Sequence, residues 1–150
     1  MIEYNTIENG LAKQERIMTY TVGVSMEPLL HNRKSTVILE KPKGSLQCGD
    51  VVLYHRPDGK YVLHRIIKVL DGYYRIRGDN CVVSEVVPKE WIIGVMVGFY
   101  EDDRDFYVAC TDQDYHRYMR KLPWRYRCLC LKTLLKRIYN RVKRILKKAE

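Results

Sequence analysis

The stretch "TVGVSMEPLL", residues 21–30, sets a serine and a methionine between Gly23 and Pro28. Its start reads as extended, and Pro28 then forces a turn. A surface serine in a turn is one reading of Ser25; a nucleophile is the other. A nucleophilic serine needs a base, a group that orients the base, and donors for the oxyanion. The chain has four histidines. His31 and His55 lie at polar, turn-like positions, and His116 lies in a polar approach to the C-terminal tail. His64 differs, because "YVLHRIIKV" places it on one strand face with Val62 and Ile66. A histidine on an apolar face is either a satisfied core residue or a general base, and the pattern alone leaves both open.

The elements that must hold these two side chains are short strands. "STVILE" (35–40) is β-branched and apolar, and "GDVVLYHR" (49–56) opens a second strand. "PDG" (57–59) is a tight turn: proline fixes φ and Asp-Gly takes the bend. "KYVLHRIIKVL" (60–70) returns as the hairpin partner, and "DG" (71–72) turns the chain into "YYRIRGD" (73–79). "EWIIGVMVGFY" (90–100) is a further strand, with Gly94 and Gly98 marking bulges or close packing. Residues 1–19 are a short lead-in with room for one or two helical turns, too few for a helix-turn-helix domain. The expected fold is mainly β over residues 20–110, a twisted antiparallel sheet or partly open barrel, followed by a helical tail over 111–150.

With 150 residues, 46% of them hydrophobic and 30% charged, the chain is a single domain with a real core rather than a disordered one. It has no apolar run of about 18 residues and no secretory leader at its start, so a cytoplasmic location is expected. Five irregularly spaced cysteines do not make a disulfide framework. Cys128 and Cys130 form C-x-C without a second pair at zinc spacing, so neither metal nor cofactor is expected. The net charge of +9 is unevenly spread. Residues 120–150 hold twelve Lys and Arg against one Glu, whereas the other 119 residues hold fifteen basic and seventeen acidic side chains. An anionic partner is therefore expected for the tail alone.

Taken in order, "GVSMEPLL", "GDVVLYHR", "VLHRI", "RGDN" and "IIGVMVGFY" resemble the type I signal peptidases and the related self-cleaving LexA-type proteins. The likeness covers about residues 20–100. It implies that Ser25, in S-M-x-P, is the nucleophile. Most bacterial signal peptidases and the LexA-type proteins use a lysine base. His64-Arg65-Ile66 instead resembles the histidine branch of the endoplasmic-reticulum and archaeal enzymes. That branch also uses an aspartate shortly after its G-D-N box, here Gly78-Asp79-Asn80; six residues past Asp79 stands Glu85. The resemblance thus makes Glu85 the candidate orienter and Asp79 its competitor, with a turn cap beside Gly78 as the other role for Asp79. Asp50 is expected to shape a turn. Met26 is expected to line the site or to fill the core. The Ser25 N–H is the implied oxyanion donor.

The resemblance further implies a leader or signal-type peptide or precursor as substrate, bound extended and cut after small side chains. The family's membrane helix has no counterpart in the 24 residues before Ser25. This points to a cytoplasmic precursor, or to a partner that carries the domain to a membrane. Self-cleavage, and a catalytically silent peptide- or membrane-binding module, are the alternatives.

In the tail, Trp124, Cys128, Leu131, Leu135, Ile138, Val142 and Ile145 recur at steps of four and three, one stripe of a helix. Pro123 suits its first turn. Lys132, Lys136, Arg137, Arg141, Lys143, Arg144, Lys147 and Lys148 flank the stripe. Residues 122–148 therefore fit a helix on an anionic membrane surface, or one that docks its stripe on the β body. No base-reading motif accompanies the basic residues, so nucleic acid is not the expected partner.

Overall fold

The computed structural model describes residues 6–101 and 107–146. At its centre is the apolar run Val51–Tyr54. All four of these residues are buried, because the strand they form is covered on both faces. Val51 and Leu53 point into a cluster with Met26, Leu30, Leu39 and Phe99; Val52 and Tyr54 point into another with Ile66, Ile76 and Val87. The side-chain period of two makes this division.

Among the described residues eight antiparallel strands form one sheet, which is not closed: β1 (Arg16–Tyr20), β2 (Thr36–Glu40), β3 (Val51–His55), β4 (Tyr61–Val69), β5 (Tyr73–Arg77), β6 (Glu85–Pro88), β7 (Ile92–Tyr100) and β8 (Tyr107–Ala109). Their order is β1-β2-β7-β3-β4-β5-β6, with β8 on the edge of β7 beyond β3. The β3–β4 hairpin turns at Pro57-Asp58-Gly59, where Gly59 has φ +81° and the Asp58 carboxylate accepts the Lys60 N–H. Asp50 shapes the turn before β3, accepting the Gln47 N–H at 2.7 Å. At Gly98 an added Cβ would run into the Tyr107 ring, so glycine there leaves room for the aromatic side chain that β8 lays across β7.

Helix α1 (Ile7–Lys13) is capped by the Thr6 hydroxyl and seats Leu11 over Gly94. The acidic segment 101–105 lies, apart from Glu101, outside the described residues. Helix α2 (Gln113–Leu146) is 34 residues long. It begins ten residues before Pro123, which stands inside the helix rather than in its first turn. The helix starts early because Tyr115, Tyr118, Met119 and Leu122 already form a body-facing row: Tyr115 and Leu122 are buried, Tyr118 and Met119 partly so. No helix among the described residues is long and apolar enough to cross a membrane.

Candidate active site

The Ser25 segment is a turn that leaves the end of β1 and packs by its apolar side chains. Met26, Leu29 and Leu30 are buried in the core, and the Leu30 N–H returns to the Met26 carbonyl at 3.1 Å. The Glu27–Pro28 peptide bond is cis. The base of the loop is tied by Ser35, a buried residue whose hydroxyl accepts the His31 N–H and whose carbonyl accepts the Thr21 N–H. Ser25 is half-buried and, with Met26, lines a groove of about 350 Å³. Met26 thus serves both the core and the wall of the groove.

The G-D-N box reaches this loop from β5. The Asn80 N–H donates to the Ser25 carbonyl at 2.8 Å, and the Asn80 side-chain amide donates to the Val24 carbonyl at 3.1 Å. Gly78 is where the pieces converge. A Cβ there would lie 2.5 Å from the Ser25 carbonyl oxygen, 2.9 Å from Cys81 Sγ and 3.0 Å from His64 Nε2. The imidazole edge and the Ser25 backbone therefore flank a single small space that only glycine leaves open.

His64 sits on β4 opposite Val52, with its side chain only 13% exposed. Its Nδ1 faces away from the Gly78 space, toward Tyr54 Oη at 3.3 Å and Glu85 Oε1 at 3.5 Å. Glu85, the first residue of β6, accepts hydrogen bonds from the Tyr54 hydroxyl and from Arg56 Nη2. The Tyr54 oxygen can accept the His64 Nδ1 proton while its own proton goes to Glu85. A hydroxyl thus bridges a gap too long for a good direct bond. Burial pushes the His64 pKa below its ordinary value, with the Glu85 charge pulling it upward. Burial also raises the Glu85 carboxyl, but the Tyr54 and Arg56 hydrogen bonds and the Arg56 charge outweigh it and hold the group below the usual range. Burial and the Glu85 carboxylate push the Tyr54 phenol well up, so it remains a donor. The outcome at neutral pH is a neutral imidazole beside an ionised carboxylate.

Asp79 does other work. It is 3% exposed and makes a two-pronged ion pair with Arg65, at 2.8 and 2.6 Å. Tyr118 and Tyr126 of α2 donate to the same carboxylate at 2.9 and 3.2 Å. Arg65 also donates to the Gly49 carbonyl and to the Tyr115 hydroxyl. The residue next to His64 and the residue next to Asn80 are thereby joined beneath the site and bound to the helix. The structure brings Ser25, His64 and Glu85 to one place and gives Asp79 to the scaffold below it. Tyr54 and Arg56 were not anticipated; the signal was present in "VVLYHR", where Tyr54 lies across the hairpin from Val62, two residues from His64 on the same face.

The groove runs from Ser25 between the last residues of β1 with the two that follow it (Thr19–Val22) and the start of β4 (Tyr61–Leu63). Tyr61–His64 pair with β3 on one side, but the pairing of β4 with β5 begins only at Arg65. Among the described residues, this part of β4 has an open hydrogen-bonding edge on the groove.

No protein-family model matches the chain, and no curated protein matches it.

Proposed function

We propose that the chain is a serine endopeptidase of the signal-peptidase and LexA type, acting on an extended leader or precursor peptide. The observation that carries this reading is the two-sided placement of His64: Nδ1 toward Tyr54 and Glu85, Nε2 toward the space beside Ser25. That polarity is what a general base for a serine requires. The open edge of Tyr61–His64 offers a peptide main-chain partners, and the groove beside it offers an apolar wall in Met26, Leu53 and Leu63.

In this mechanism His64 Nε2 takes the proton of the Ser25 hydroxyl as its oxygen attacks the substrate carbonyl. Glu85, through Tyr54, holds the imidazole tautomer and stabilises the imidazolium that forms. The Ser25 N–H is the proposed oxyanion donor. The protonated His64 then gives its proton to the leaving amine, and an acyl-enzyme on Ser25 remains. Water, deprotonated by His64, hydrolyses it and restores both side chains.

Intact-protein mass spectrometry with a serine-directed phosphonate tests the reading on wild type, Ser25→Ala and His64→Ala. One adduct on wild type, absent from both variants, is expected. An adduct that survives Ser25→Ala overturns the nucleophile. If wild type neither takes the probe nor cuts any member of an extended-peptide library, the chain is a binding module of this fold.

A further inference from the structure

The apolar face of α2 changes sides along its length. In the first half the buried Leu122 and the tyrosines Tyr115 and Tyr126 turn toward the body, where Arg65 meets the Tyr115 hydroxyl and Asp79 and Arg77 meet the hydroxyl and ring of Tyr126. The stripe that starts at Trp124 lies about half a turn away at 3.6 residues per turn. Apart from the half-buried Cys128 its members are exposed: Trp124 at 69%, Leu131 at 57%, Leu135 at 56%, Ile138 at 51% and Ile145 at 59%. The first half of α2 thus docks on the β body through its tyrosine row, while these stripe residues face outward.

Beyond residue 130 the helix is sharply divided. Leu131, Leu134, Leu135, Ile138, Tyr139, Val142 and Ile145 occupy an arc of roughly 140° at 3.6 residues per turn. Lys132, Lys136 and Lys143 border it on one side and Arg141 and Arg137 on the other, with no acidic residue between Asp114 and Ala149. We propose that residues 131–145 are a docking surface for an anionic lipid bilayer, with the apolar arc sunk among the acyl chains and the basic borders among the headgroups. Charge decides the occupant. A second copy of the helix would set Lys and Arg borders against Lys and Arg borders, without the alternating Glu that pairs coiled-coil strands. A nucleic acid would satisfy the charges and leave the apolar arc in water. A bilayer of anionic lipid satisfies both. The arc is also wider than the narrow seam of a coiled coil.

Docking has a geometric result for the candidate active site. Trp124 and Lys132 line a cleft of about 350 Å³ together with Asp79 and Asn80, the residue that holds the Ser25 carbonyl. The border residue Lys132 is thereby placed next to the Asn80 loop. The proposal does not depend on peptidase activity and is tested without it.

The test is vesicle flotation of the full chain on phosphatidylcholine alone and on a phosphatidylcholine–phosphatidylglycerol mixture, at roughly 50 and roughly 500 mM salt. Truncation at residue 119 is unsuitable, because it removes the buried Leu122 and the Tyr126 bond to Asp79. The variants are the exposed pairs Leu135→Glu/Ile138→Glu and Lys136→Glu/Arg137→Glu, whose melting temperatures should match wild type. Expected are binding to the anionic mixture at low salt, a loss of about tenfold or more in each double variant, and a blue shift of tryptophan emission that Trp124→Phe removes. No binding to the anionic mixture at low salt overturns the proposal, as does undiminished binding by Leu135→Glu/Ile138→Glu. A concentration-dependent dimer abolished by that same pair, without vesicle binding, overturns it in favour of a second copy.

Discussion

The Asn80 N–H holds the Ser25 carbonyl at 2.8 Å, so the G-D-N box and the S-M-x-P loop form one unit although 55 positions separate them. The intervening strands bring the box back beneath the serine, and Gly78 lets the two backbones approach. The box is thus a clamp on the main chain of Ser25.

Gly78→Ala should break this clamp. Its Cβ would meet the Ser25 carbonyl at 2.5 Å, and backbone cannot swing aside as a flexible side chain can. A loss of about 1–3 kcal/mol in stability is expected, with loss of phosphonate labelling at Ser25. Asn80→Ala keeps the backbone bond and loses only the amide bond to Val24. It should cost about 0.5–1.5 kcal/mol and retain labelling. Urea denaturation with labelling at matched folded fraction checks both.

Glu85 and Asp79 should separate cleanly. Glu85→Gln leaves the scaffold in place and should lower the acylation rate by about 10²–10⁴-fold, with a small change in melting temperature. Asp79→Asn breaks the buried pair with Arg65 and weakens two tyrosine bonds from α2. About 3–5 kcal/mol of stability should go with it. Equal stability loss in the two variants would sink the division of labour.

The pH dependence has a definite sign. In the proposed mechanism His64 must be neutral to act, and burial holds its pKa below the ordinary histidine value. Acylation should therefore rise with pH to a plateau, with its acid limb below about pH 6.5. In Glu85→Gln the upward pull of the carboxylate is gone, so the limb should move further down. A limb that moves up would contradict the arrangement.

Tyr54→Phe removes the hydroxyl between His64 Nδ1 and Glu85. The positioning role predicts a fall of roughly tenfold or more in acylation at the plateau, with a KM for any cleaved peptide near that of wild type. A change in KM alone would assign Tyr54 to packing.

Much of this was legible from residue order. The β-branched runs gave β2, β3, β4, β5 and β7, because strands of the central sheet bury one or both faces and write that into their composition. The short edge strands were not legible: β1 alternates between exposed and half-buried residues, β6 has four residues and β8 three. Ser25 and His64 stood out by local pattern, whereas the task of Asp79 did not, since two of its donors, Tyr118 and Tyr126, lie 39 and 47 residues further on. Pro123 misled because proline favours a helix start, yet the tyrosine row before it already had its partners in the body. The resemblance of the boxes to signal peptidases came from the sequence, and what the geometry adds is the arrangement of the side chains around Gly78.

The open edge of β4 ends at His64. Main-chain groups repeat every residue and are the same for every sequence. Under the proposed function, a peptide taken up along Tyr61–His64 would be measured rather than read: the strand would act as a ruler whose zero mark is the imidazole. Which bond reaches Ser25 would then be set by how many residues fit before that mark, and side chains would decide only which peptides are laid against the scale.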